Sequence, residues 1–370
     1  MKRAKSAEPR GRRARKEAGK TTTTTTTHNK KKLQKRGNKR GGSGGKKERW
    51  GRHYEDKRNW REYNEKLVER GGMYVSIDFL ESWGKEVERM NEGKVGAPYQ
   101  YPESLMIFLG FVYVMFRFGY RELEGFLRKL KEYIPAVPAA PDYSQIWRRV
   151  REIGLNIQET LLSHHDEDVV ISLDSSGVKV SNRGEWMREK WKVRRGWIKV
   201  HVAVDERGKQ CVALEVTDEA VGDSRMFKPL VEEAVSNIKS KGGRVRQANG
   251  DGGYDTKDDF NTLDEMGVTP GIKMRKNAST RARGSPLRKK HVREYKELGY
   301  KKWRDKYRYG YRWRAEGNLS AVKRLTGECV RAVKLENMLR EAKMKFLFYN
   351  AILKFDATGE LPWATTISQK

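Results

Sequence analysis

Val-Val-Ile-Ser-Leu-Asp-Ser-Ser-Gly-Val-Lys-Val, residues 169–180, decides the fold class of this chain. Its β-branched residues suit a pleated, half-buried surface. Asp174 sits inside the run, and an unpaired carboxylate among apolar neighbours would cost several kcal/mol. The stretch therefore reads as a strand whose one acid has a purpose. Downstream, 197–204 alternates apolar and polar residues and ends at a turn, Asp205-Glu-Arg-Gly208. Residues 211–216 pair back as the third strand of a meander.

The pattern then changes to alternating helices and strands. A helix is predicted over 224–240, a fourth strand over 245–248 and a glycine-rich turn over 249–255. A second helix over 256–266 and a fifth strand over 268–274 follow. After a basic segment, 309–323 reads as one amphipathic helix, and 335–353 as a final apolar one. Three antiparallel strands followed by alternating helices and strands predict an α/β domain with a mixed five-stranded sheet. Its order, 3-2-1-4-5, is taken by analogy with ribonuclease-H-like architectures and not read from the residues.

The helix at 309–323 carries Tyr309, Arg312, Glu316 and Lys323, spaced three, four and seven apart. At about 100° per residue these fall in a stripe roughly 60° wide. Ala315, Leu319 and Val322 lie on the adjoining apolar face. Asp251 stands in the glycine-rich turn after the fourth strand, where missing side chains let a ligand approach closely. If the first and fourth strands are neighbours, Asp174 and Asp251 come side by side, and a helix across the sheet can bring in Glu316. Three carboxylates without basic partners repel one another, and divalent cations resolve that repulsion. Mg²⁺, with Mn²⁺ as substitute, suits such oxygen ligands, and two ions would activate a water or 3′-hydroxyl at a phosphodiester.

Charge points the same way. The 370 residues carry a net +30, and the excess is concentrated. Residues 1–50 hold 19 Lys/Arg against three acids, and 275–308 hold 14 against three. Basic charge gathered like this implies a polyanionic partner, most naturally nucleic acid. Residues 1–50, with seven consecutive threonines and a Gly-Gly-Ser-Gly-Gly run, read as a disordered basic arm. Only Cys211 and Cys329 are present, so neither a disulfide framework nor a cysteine zinc site is indicated. The N-terminus does not read as a signal peptide, and the apolar run at 105–116 is too short to span a membrane. A cytoplasmic, nucleoid-associated protein is expected.

Residues 51–165 read as helices. A proline-rich linker at 134–141 precedes Asp142, which caps a basic helix carrying Arg148, Arg149 and Arg151. Two short helices with arginines on the second resemble a helix-turn-helix DNA reader, with a plain helical bundle as the alternative. His164-His-Asp-Glu-Asp168 reads as a solvated linker. Asp255 reads as the cap of the helix beginning at 256, and as a reserve second aspartate. Asp218 and Asp223 read as caps of the helix at 224–240, and Asp205 as a hairpin residue.

Ser-Leu-Asp174-Ser-Ser, Asn-Gly-Asp251-Gly-Gly-Tyr-Asp and Tyr309-x2-Arg312-x3-Glu316-x6-Lys323 together resemble the DDE transposases of prokaryotic insertion sequences. The nearest subgroup is the insertion-sequence four/five type, with its Tyr-Arg-Glu-Lys signature. Tyr-Arg-Glu-Leu-Glu-Gly-Phe-Leu at 120–127 and Pro141-Asp-Tyr-Ser144 are similar to that subgroup's N-terminal region, so the resemblance covers about 95–355. It implies that Asp174, Asp251 and Glu316 are catalytic and bind the metals. It implies too that Tyr309, Arg312 and Lys323 hold DNA phosphates, and that a homodimer acts on double-stranded element ends and target. The family pattern offers nothing for the arm at 1–50. The expected organisation is an arm (1–50), an all-α domain that reads DNA (51–165) and a catalytic domain (166–355) with a basic insertion (275–308). A tail (356–370) completes it. The expected activity is cutting and joining DNA ends; a metal-dependent nuclease of the same fold and a DNA-binding protein without catalysis are the alternatives.

Overall fold

A computed structural model describes residues 47–49, 52–54, 58–154, 156–180, 196–281 and 284–364. The expected arm therefore lies mostly outside the described residues, as does the end of the expected tail. The chain divides into two units, Met1–Asn59 and Trp60–Lys370. In the first, β1 (Lys47–Arg49) and β2 (Arg52–Tyr54) form an antiparallel pair with Glu48 opposite His53. Residues 47–49, expected to be disordered, are thus a strand.

The second unit begins with helices α1 (Trp60–Val75), α2 (Phe79–Asn91), α3 (Glu103–Met115), α4 (Tyr120–Tyr133), α5 (Tyr143–Glu152) and α6 (Ile157–Thr160). Helix α3 is apolar nearly all round and is buried from Ser104 through Val114, so it forms the centre of this layer. Asp142 caps α5 by accepting from the backbone N–H groups of Ser144 and Gln145.

A six-stranded sheet follows, built from β3 (Asp168–Val180), β4 (Trp197–Asp205), β5 (Cys211–Asp218), β6 (Arg244–Gly250), β7 (Thr269–Ile272) and β8 (Cys329–Val330). The order is β5-β4-β3-β6-β7. Strand β4 is antiparallel to β3 and β5, while β6 is parallel to β3 and β7. The five main strands thus stand in the order expected by analogy. The sixth, β8, is a correction: two residues pair in parallel with the end of β3, too few to leave a strand pattern in the sequence.

One face of the sheet packs on α7 (Asp223–Ser240) and α8 (Lys257–Glu265), burying Leu173, Ala203, Phe227, Leu230 and Phe260. The other packs on α10 (Trp313–Thr326) and α11 (Leu335–Thr358), burying Val178, Val200, Val202, Leu319 and Phe346. Helix α11 also sends Met344, Phe348 and Ile352 into the core of the N-terminal helices, where Trp363 joins them.

Several local readings need correction. Residues 286–306, read only as basic, form α9 (Pro286–Lys306), with Ser285 as its cap and a kink where Gly299 takes φ 70°. The stretch 309–323 is not one helix: Tyr309–Arg312 is a 3₁₀ turn, and α10 starts at Trp313. Thr256, not Asp255, caps α8. His164 is buried rather than solvated, its N–H donating to Lys241 O. Asp205 does shape its hairpin, accepting from the N–H groups of Arg207 and Gly208. Asp218 accepts from Ala220 N–H in the following turn, and Asp223 is the first residue of α7.

Candidate active site

Asp174 lies in mid-β3, paired across the ladder with Val202. Side chains alternate along a strand, so Leu173 joins the core under α7, while Asp174 and Val178 share the face under α10. Ala315, Leu319 and Val322 bury one stripe of α10 against Val178, Val200 and Val202. That packing sets Glu316 beside β3. Lys323 fixes the next two turns, its Nζ donating to Ser176 Oγ (2.7 Å) and Gly177 O (2.8 Å). Burial lowers its pKa.

Asp251 follows β6, the parallel neighbour of β3, and opens a 3₁₀ turn at Gly252–Tyr254. Its carboxylate accepts from Gly253 N–H (2.7 Å). A Cβ on Gly253 would stand 2.8 Å from that carboxylate oxygen, so any larger residue there would push the Asp251 carboxylate aside. Tyr254 is buried against Phe227 and pins the turn to α7.

The charge that faces these acids is Arg312. Its guanidinium donates to Glu316 and lies 3.7 Å from Asp174 Oδ1. Burial raises the pKa of Asp174, Arg312 opposes the rise, and the charges of Glu316 and Asp251 add to it. Burial works against the Arg312 charge, but Tyr309, Asp174, Glu316 and Asp251 hold its pKa above the ordinary value. All three carboxylates thus act electrostatically on one another or on one guanidinium. Among the described residues, no three His, Cys, Asp or Glu side chains are grouped closely enough to hold one metal ion.

Tyr309 is buried, and its ring packs 5.1 Å from that of Trp303 in α9. Burial pushes its pKa up to about 12. Tyr309 belongs to a 3₁₀ turn, with fewer residues per turn than the α-helix expected there, yet its hydroxyl stays beside Arg312. Arg148 folds back on Ser144 O (3.3 Å), and Arg149 stacks over Tyr99 (4.6 Å) and donates to Tyr101 O. Both sit on α5, and their contacts are to the helical layer rather than to the carboxylates.

The roles of two acids escaped the sequence reading, which took Asp255 for a helix cap or reserve catalytic aspartate and passed over Glu206. Asp255 is buried in an ion pair with Arg288 of α9 (2.7 Å) and accepts from Arg275 N–H (3.0 Å). Arg275 in turn donates to Gly252 O (2.6 Å) and Gly253 O (2.9 Å). Together they latch the turn that carries Asp251, and the only sequence signal was excess basic charge. Glu206, at the end of β4, is buried, accepting from Ser172 Oγ (2.5 Å) and Asn249 Nδ2 (2.6 Å). Burial raises its pKa. Being hairpin-adjacent, it gave no sign of its burial.

The sheet, the acids at its parallel strands and the facing arginine define a mixed α/β protein with an acidic site beside a basic helix. Residues 165–351, half of the chain and all three acids, match the family described as "Transposase DDE domain". A second match of the same description covers 68–183. The chain belongs to the DDE transposases. Among solved structures, the piggyBac transposase synaptic complex with hairpin DNA is matched at 10% identity. That match has a TM-score of 0.34 and covers 80% of this chain and 76% of that one. The simian T-cell lymphotropic virus intasome in complex with PP2A regulatory subunit B56 gamma is matched at 13% identity and a TM-score of 0.21, covering 59% and 74%. These overlays are too loose to carry weight. No helix among the described residues is long and apolar enough to cross a membrane.

Proposed function

We propose that the chain is a transposase of the insertion-sequence four/five type, on a ribonuclease-H-like sheet, that cuts and joins double-stranded DNA ends. The observation that carries this reading is the meeting of Asp174 and Glu316 at Arg312, with Asp251 just past the end of the adjacent parallel strand and within electrostatic reach. An all-oxygen, all-carboxylate donor set fits a hard divalent cation such as Mg²⁺ or Mn²⁺. Asp174, Asp251 and Glu316 would share a pair of such ions between them, the three not being grouped around one point as found. When bound, a pair of such ions would activate the attacking hydroxyl and stabilise the leaving oxygen. The chain's own residues supply position: the α10 packing stripe sets Glu316, Lys323 ties α10 to β3, and Arg275 holds the turn of Asp251. Arg312 balances the acids as found, and would pass to a DNA phosphate, which it can grip bidentately, once a metal takes over that balance. Lys323 and Tyr309 would flank the same phosphates. Joining two ends calls for two such sites, hence a homodimer on DNA, acting where the nucleoid lies.

Replacing Asp174, Asp251 or Glu316 by Ala, one at a time, should abolish Mg²⁺-dependent cleavage of the DNA flanking the coding sequence. DNA binding should remain. Cleavage that persists in EDTA, or in Asp174→Ala, would overturn the assignment.

A further inference from the structure

A cleft of about 440 Å³ lies between the N-terminal helices and the connection from β8 to α11. It adjoins a second recess of about 600 Å³, with which it shares Gly119, Tyr120, Trp147 and Arg331. Its walls alternate aromatic faces and cations. Tyr113 and Tyr120 stack at 4.8 Å and 17°, and Arg331 lies 4.2 Å over Tyr113. Arg151 lies 4.6 Å over the half-buried Trp147, and Arg121 lies 4.6 Å over the exposed Tyr143.

The acids nearby are already engaged. Glu341 accepts from Arg331 N–H, Ala332 N–H and the Tyr113 hydroxyl, each at 3.0 Å. Glu122 accepts from Gly119 N–H, and Glu336 takes Arg151. The Arg151 Nε is buried without a hydrogen-bond partner among the described residues. Lys334 and Arg340, both exposed, line the same cleft. The recess thus offers ring faces inside and uncommitted positive charge at its rim.

We propose that this cleft binds single-stranded DNA, with unpaired bases on Trp147 and Tyr120 and phosphates on Arg121, Lys334 and Arg340. A recessed ring can be reached by an unpaired base, whereas a duplex keeps its bases stacked and presents only their edges. The inference rests on the reading of the chain as a DNA-processing enzyme and adds a strand-holding site outside the carboxylate cluster.

The test is fluorescence anisotropy of a labelled oligothymidylate of about eight nucleotides on the intact chain, beside a duplex of equal length. Trp147→Ala and the surface pair Lys334→Glu with Arg340→Glu should each weaken single-strand binding about tenfold or more, with Trp147→Phe keeping most of it. Duplex binding should stay as in the wild type. Asp174→Ala should bind the oligonucleotide normally, so that loss of cleavage and loss of this site are read separately. Wild-type single-strand affinity in the surface pair, whatever Trp147→Ala does, would overturn the proposal. A parallel loss of duplex binding would do the same.

Discussion

Arg312 sits where three acids need a counter-charge, and that position gives one side chain two competing roles. Its guanidinium holds Glu316 and faces Asp174 at 3.7 Å. A divalent cation entering the same acids must do so against that positive charge. Arg312→Ala should therefore tighten Mn²⁺ binding to the DNA-free protein, by about tenfold for each 1.4 kcal/mol of repulsion removed. The same change should slow cleavage, because the phosphate loses its bidentate partner, and Arg312→Lys should fall between on both counts. Calorimetric titration with Mn²⁺ checks the first half, and unchanged affinity in Arg312→Ala would show that the arginine does not guard the acids. The three carboxylates and this arginine were legible in the sequence through spacing and local motif. Tyr309 was harder to place, because nothing in 309–323 marks where a 3₁₀ turn gives way to an α-helix. Asp255 shows the opposite difficulty: its partner Arg288 lies 33 residues away, within a run of like charge that hides any one specific pair.

At the scale of elements, the strands were read well because alternation and β-branching are local, whereas their order came from analogy, since strand neighbours are a non-local property. Helix α9 was missed because its 21 residues have no sustained apolar stripe and break at Gly299. It is held instead by Trp303, His291 and Tyr307, whose rings pack together, and by Ser285 at its start. Burial pushes the His291 pKa down to about 4, so the ring is neutral at physiological pH and suited to an aromatic cluster. Helix α8 carries a testable charge. Asp259, in its first turn, is raised by burial from 3.8 to about 6, against the hydrogen bonds from Thr256 and Ser224. A raised folded pKa means that stability present below about pH 4 is lost as pH rises through about 6. Asp259→Asn should therefore melt higher than the wild type at pH 7, by on the order of a few degrees. The two should converge near pH 4. Equal melting temperatures at pH 7 would place Asp259 in water rather than in the core.

At the scale of the whole molecule, charge and packing are divided along the chain. Residues 1–50 carry 19 Lys/Arg with no sequence pattern that could read bases. Removing them should flatten the dependence of DNA affinity on salt concentration, since each phosphate contact adds about 0.9 to the log–log slope. Preference for cognate ends should survive, because phosphate contacts position without specifying. Filter binding across a salt series distinguishes this from an arm that selects sequence. Packing runs the other way, toward the C-terminal end. Helix α11 gives Met344, Phe348 and Ile352 to the N-terminal helices and Phe346 and Leu347 to the sheet, and Trp363 sits against Phe108 and Phe111. During synthesis, then, the part of the α3 surface that α11 and Trp363 cover stays open until those residues have emerged, although α1, α2, α4 and α5 pack on the rest. Up to that moment the nascent chain presents that part of α3 to whatever surrounds it, and chaperones have their longest opportunity there.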